Sequence, residues 1–182
     1  MAKRLGSVRR PLLILAAVAV LAVAIYLFGL RGTTVSPHLV SSESVAVIGS
    51  GSGAVAVAGD GTILAWLPAP EEGSLPKLPL ATPPKGPRLQ GPMLEQVHVL
   101  AAVPPALLPY VEGSYYGESG VDVNLTTGIE LRFGDATQAS RKWRAAAAVL
   151  ADPSITALDY VDLHAPSHPD VGGSGHAIPP IP

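Results

Sequence analysis

The sequence predicts an α+β protein: a single N-terminal transmembrane helix followed by one extracytoplasmic domain, a mixed, mainly antiparallel sheet with one or two packed helices. Three observations carry this. Residues 11–30 (PLLILAAVAVLAVAIYLFGL) hold no charge, residues 121–133 alternate apolar and polar side chains around a Thr-Thr-Gly turn, and residues 139–151 repeat apolar side chains at helical spacing.

At about 1.5 Å rise per residue the uncharged run reaches about 30 Å, the thickness of a bilayer's hydrocarbon core. Lys3, Arg4, Arg9 and Arg10 precede it and only Arg31 follows closely. The positive-inside bias therefore keeps residues 1–10 cytoplasmic as a basic tail and sends the remainder out. Ala22-Val23-Ala24 offers a signal-peptide cleavage pattern, but Ile25, Tyr26, Leu27, Phe28 and Leu30 carry the apolar run beyond an ordinary signal core and favour an uncleaved anchor. Residues 31–43 then read as a linker and 44–165 as the folded domain. Residues 166–182, rich in Gly and Pro, read as a disordered tail.

Residues 32–182 carry seven Lys and Arg against fourteen Asp and Glu, a net charge of −7 with neutral histidine. Such an exterior repels phosphate backbones and gives nucleic-acid binding no electrostatic footprint. The chain has no cysteine, so it forms no disulfide and no thiolate metal site, and an exported domain must be held by packing.

Within the domain, residues 45–48 and 54–58 are short apolar strands joined by the glycine-rich turn 49–53, and Asp60-Gly61 turns the chain into residues 62–66 as a third strand of a meander. Proline then recurs at 68, 70, 76, 79, 83, 84, 87 and 92 and removes backbone donors, so this stretch is an extended connection. Pro92 suits a first helical position, and Leu94, Val97, Leu100 and Ala101 give a helix over 93–102 one apolar face before Pro104-Pro105 stops it.

Residues 111–116, 121–125 and 129–133 are strands. Val121, Val123 and Leu125 oppose Asp122 and Asn124, while Ile129, Leu131 and Phe133 oppose Glu130 and Arg132, giving one buried and one wet face. Asp135 and Gln138 have the spacing of a capping box for a helix running to about residue 151. Its Ala139, Trp143, Ala146 and Leu150 line the buried stripe, with Arg141, Lys142 and Arg144 facing elsewhere. Residues 157–163 alternate again as the last strand, with Leu158, Tyr160 and Asp162 on one face and Asp159, Val161 and Leu163 on the other.

No motif anchors an enzyme or calls for a cofactor. Gly49-Ser50-Gly51-Ser52-Gly53-Ala54 matches a dinucleotide fingerprint in letters only, because the β-branched, glycine-broken segment after it is too short for the helix that would face a pyrophosphate. His164 and His168 have a ligand-like spacing, but Pro166 and Pro169 break any helix that would align them. No serine sits in G-x-S-x-G, and Asp159 and Asp162 fall on opposite faces of their strand. Arg141, Lys142 and Arg144 form the one dense basic cluster outside the membrane flank. It reads either as a solvated helix face or as a docking patch for an acidic partner segment.

Four stretches taken in order resemble the extracytoplasmic β domain of the FtsQ/DivIB family of bacterial cell-division proteins: SVAVIGSGSGAVAVAGDGTIL, SLPKLPL, VDVNLTTGIELRFGDATQASRKWRAAAAVL and LDYVDLHAPSHPDV. Together they span residues 45–169, with His164 where the family commonly has arginine. The family's POTRA domain has no counterpart between anchor and β domain, where only residues 31–43 stand, so recruitment functions assigned to that module do not carry over. The resemblance implies a non-enzymatic, single-pass scaffold of the divisome at the septum. It would bind an FtsB/FtsL (DivIC/FtsL) pair and help regulate septal wall synthesis. It also implies partner-strand addition at the late sheet edge, which places Leu158, Tyr160, Val161, Asp162 and Leu163 at the contact, flanked by Arg141, Lys142 and Arg144. The alternative is a membrane-anchored envelope protein- or glycan-binding module unrelated to division.

Overall fold

A computed structural model of the chain describes residues 43–181. The basic tail, the apolar run 11–30 and nearly all of the linker lie outside those residues. Among the described residues no helix is long and apolar enough to cross a membrane.

Strands β1 (Ser44–Ile48) and β2 (Val55–Ala58) pair antiparallel around the glycine-rich turn. Their small apolar side chains pack on both sides: Ala46, Ile48 and Val57 enter the main core, and Ala56 and Ala58 close on Leu64. The expected third strand of a meander is not continuous. Ile63 makes an isolated bridge to Val57, and Trp66 stands 69% exposed where the chain has already turned away.

The proline-rich connection performs a structural task that its composition conceals. Its Pro76–Leu78 stretch threads between β1 and β3 (Val111–Gly117). Val47 N–H donates to the Pro76 carbonyl at 2.9 Å and Leu78 N–H to the Val47 carbonyl at 2.9 Å on one side. On the other, Lys77 N–H donates to Glu112 at 2.9 Å and Ser114 N–H to the Lys77 carbonyl at 3.0 Å. Pro76 and Pro79 flank this bridging residue and offer no donors of their own, and the next contact with β1 is Gly49 N–H donating to the Leu80 carbonyl at 3.0 Å. A side chain at Gly113 would place its Cβ 2.4 Å from the Lys77 carbonyl oxygen, which explains the glycine opposite the crossing.

Helix α1 (Pro92–Ala101) begins on its proline and buries Gln96, Val97, Val99 and Leu100. Leu94, expected on the buried face, is half-buried. Gln96 is fully covered, and its Oε1 accepts from Ser114 Oγ at 3.0 Å, tying α1 to β3.

Strands β3, β4 (Gly120–Leu125) and β5 (Glu130–Gly134) form consecutive antiparallel pairs. Helix α2 (Ala139–Leu150) then crosses over to β6 (Ala157–Asp162), which lies parallel to β5, and β7 (Asp170–Ala177) returns antiparallel along β6. The sheet order is β3-β4-β5-β6-β7, with α1 against β3 and β4 and α2 against β5 and α1. This is the expected α+β architecture of a mainly antiparallel sheet with two α-helices. Val121, Val123, Leu125, Leu131, Phe133, Val161 and Leu163 supply the inner face.

Three expectations are corrected here. Asp135 does not cap α2: Gln138, at φ +54, precedes the helix, while the Asp135 carboxylate accepts from Thr137 N–H at 3.0 Å and from Lys142 Nζ at 2.7 Å. Lys142 is 3% exposed and also donates to the carbonyls of Phe133 at 2.7 Å and Asp135 at 3.1 Å. It locks the turn between β5 and α2 and does not belong to a solvated face. Finally, the tail expected to be disordered supplies β7 and a return strap, in which Tyr110 Oη donates to the Pro180 carbonyl at 2.6 Å while Ile178 and Ile181 pack on the core.

Candidate partner-binding edge

The five-stranded sheet has two margins. At β3 the margin is bridged through Lys77 to the β1–β2 hairpin. At β7 no neighbouring strand pairs on the outer side among the described residues. Edge strands present unpaired backbone donors and acceptors that template the addition of another chain. Val171, 39% exposed on β7, adds a large apolar side chain to this margin, and its N–H is held by the adjacent Asp170 carboxylate at 3.0 Å.

The residues expected to meet a partner lie one strand further in. β6 is paired on both sides, with Glu130, Leu131 and Arg132 of β5 parallel on one flank and β7 antiparallel on the other. Its backbone is not an open edge, and that expectation is corrected in favour of β7. Leu158, Val161 and Leu163 are buried in the core. Leu158 is buried in the same core as Val161, three residues on, which breaks the strict alternation expected of 157–163.

Tyr160 and Asp162 lie on the outer sheet face. The Arg132 guanidinium stacks 4.0 Å from the Tyr160 ring centroid, and Asp162 Oδ1 pairs with His164 Nδ1 at 2.7 Å. Arg141 and Arg144 are exposed on α2, which packs over β5, two strands in from the free margin. Lys142 is buried.

On the outer face a polar row crosses the sheet: Tyr115, Asp122, Arg132 and Asp162 are paired in turn from β3 to β6. Tyr115 Oη donates to Glu130 Oε2 at 2.5 Å and Arg132 Nε to Glu130 Oε1 at 2.5 Å. Burial, and then the hydrogen bond to Glu130, push the Tyr115 hydroxyl far above the ordinary phenol range. Burial, with the Glu130 charge next in weight, raises the Asp122 carboxyl, whose Oδ1 is enclosed without a hydrogen-bond partner. Burial also opposes ionisation of Asp162, but the hydrogen bonds from His164 outweigh it and hold its pKa below the ordinary value. The Asp162 hydrogen bond raises His164 in return. Glu130 and Asp162 are thus satisfied by their neighbours on this face, whereas Asp122 is shielded but unpartnered.

Sequence reasoning missed β7 itself. Gly172, Gly173 and Gly175 erase any alternation there, and the one cue was the apolar Val171 next to an acidic residue.

The family model described as cell division protein FtsQ/DivIB, C-terminal, matches residues 46–164. The chain belongs to the FtsQ/DivIB family. The match covers the domain from β1 through β6 and stops just before β7, so the open margin of this FtsQ/DivIB domain lies immediately beyond it. Membership assigns the chain to cell division. Comparison with curated proteins gives no match.

Proposed function

We propose that the domain is a non-enzymatic scaffold of the divisome, held at the membrane by residues 11–30 with its sheet outside the cell, and that it captures an extended segment of an FtsB/FtsL (DivIC/FtsL) type partner along β7 at the division septum, helping to regulate septal wall synthesis. The observation that supports this most directly is the margin itself: β7 is a continuation of the family domain with an unpaired outer side and an exposed Val171. Main-chain hydrogen bonds would supply affinity, and burial of Val171 against a partner side chain would supply register. Arg141 and Arg144, the surface members of the basic cluster, remain available to an acidic stretch of the same partner.

The test is co-purification of the full-length chain with its host's FtsB/FtsL pair, alongside Val171→Pro, which removes the N–H that a partner must take over from the Asp170 carboxylate, and Val171→Lys, which places a charge where an apolar contact is expected. Loss of capture by both variants, at unchanged melting temperature, supports the edge. Capture at wild-type strength by both overturns it. Failure of the wild-type chain to retain the pair, with no septal localisation of a fluorescent fusion, points instead to an envelope-binding module unrelated to division.

A further inference from the structure

The free strand is interrupted. β7 pairs with β6 in two separate stretches, Asp170, Val171 and Gly172 against Asp162, Val161 and Tyr160, and His176 and Ala177 against Leu158 and Ala157. Between them Gly173, Ser174 and Gly175 all stand opposite the single residue Asp159. Three residues against one is a bulge, and a bulge ends a regular ladder and pins its register.

The side chain of Asp159 is built into this interruption. Its Oδ1 accepts the Gly175 N–H at 2.7 Å, so that donor is already taken within the chain. The approach is so close that a side chain at either neighbouring glycine would displace this carboxylate. A Cβ at Gly173, which adopts φ +80, would lie 2.0 Å from Asp159 Oδ2, and one at Gly175 would lie 2.6 Å from Oδ1. At the near end Gly172 meets the Tyr160 ring, 2.6 Å from where its Cβ would be, so the outer face is closed to side chains there too. The glycines that hid this strand from pattern reading are therefore the residues that admit the Asp159 carboxylate.

We propose that Asp159 is a positioning residue that fixes where an incoming strand ends and in which register it docks. The inference rests on strand addition at β7. A partner backbone finds a regular ladder only along Asp170, Val171 and Gly172, and the Asp159-held bulge stops it from sliding towards His176. The favoured segment is short and extended, with an apolar side chain beside Val171 and a small residue, or a flat one lying along the strand, beside Gly172. Slippage by two residues keeps every side chain on its own face and costs little on a regular edge, so a physical stop is needed to exclude it.

The chain has no cysteine, so Val171→Cys in the full-length protein gives a single reporter thiol. It is scanned by disulfide cross-linking against single cysteines placed along the extracytoplasmic segment of the host's FtsB/DivIC-type partner. With Asp159 present, cross-linking concentrates at one partner position. In the Asp159→Ala background it spreads to positions two residues to either side, or capture is lost, while Asp159→Asn, which keeps a carbonyl acceptor for Gly175 N–H, restores the single position. Melting temperatures of the three backgrounds, matched within error, show that the domain itself is intact. An unchanged single position in Asp159→Ala overturns the assignment of Asp159 and leaves strand addition standing. Absence of cross-linking with Asp159 intact overturns strand addition itself.

Discussion

The Trp143 indole Nε1–H donates to the Val99 carbonyl at 2.8 Å, joining the middle of α2 to the last turn of α1. The indole is fully buried and tilts against Phe133 of β5 with ring centroids 4.9 Å apart. One side chain thus connects both helices to the sheet and adds a second, shorter donor to a carbonyl in the final turn of α1 that otherwise accepts only from Ala102 N–H at 3.2 Å.

Trp143→Ala is expected to cost about 3–5 kcal/mol, the range for emptying a buried aromatic site. Trp143→Phe keeps most of the packing but leaves the Val99 carbonyl only the longer bond from Ala102 N–H, and should cost about 0.5–1.5 kcal/mol. Urea denaturation of both variants checks the order; no loss in Trp143→Phe would mean that the hydrogen bond contributes nothing beyond packing.

Lys142 and Asp135 set an acid dependence. The Lys142 ammonium, donating at 2.7 Å, pulls the Asp135 carboxyl from 3.8 down to about 2. A carboxyl depressed on folding adds stability that is complete above its unfolded pKa and disappears as pH falls through the folded value. The stability difference between wild type and Asp135→Asn should therefore be constant above about pH 5 and be lost progressively between about pH 5 and pH 1. Because Asp135 is 56% exposed, solvent screening limits that difference to about 1 kcal/mol or less. A difference that is undiminished at pH 2 would remove the ion pair from the account.

His164 works in the opposite direction. Its pKa is raised by the hydrogen bond to Asp162, so its contribution is fully present below the unfolded histidine value of about 6.5 and is lost as pH rises through the folded one. His164→Gln should lower the melting temperature at pH 5.5 and leave it nearly unchanged at pH 8.5. Proton NMR titration of the His164 ring should show the upward shift directly, and an Asp162→Asn background should abolish it.

Gly113→Ala tests the crossing at Lys77. The added methyl meets the Lys77 carbonyl, which already accepts from Ser114, so the proline-rich segment must withdraw or β3 must shift. A loss of about 1–3 kcal/mol is expected. Hydrogen exchange should quicken at Val47, Lys77 and Leu78 before it does so in β4 and β5; uniform acceleration would show that the hairpin and the five-stranded sheet do not separate at this point.

Much of the architecture was readable because solvent and core impose opposite chemistry on neighbouring positions. The Val121, Val123, Leu125 series and the Ala139, Trp143, Ala146, Leu150 stripe show period two and helical spacing, and both are buried as those spacings require. Reading failed where a residue's role depends on what approaches it from far along the chain. Lys142 has the composition of a surface residue but is enclosed by the turn that follows β5. Asp122 occupies a position the alternation marks as wet, yet it is 7% exposed because its cross-strand neighbours on the outer face cover it.

The amino-acid order alone determined the uncharged 11–30 run, the acidic, cysteine-free domain after it, the strand and helix segments of that domain and, by resemblance, its family. Only the tertiary structure decided which strand is left unpaired. Periodicity reports which side of a backbone faces the core, whereas edge status depends on whether a second backbone lies alongside. In β7 close packing against Tyr160 and Asp159 demands glycine at three positions, and glycine carries no pattern to read.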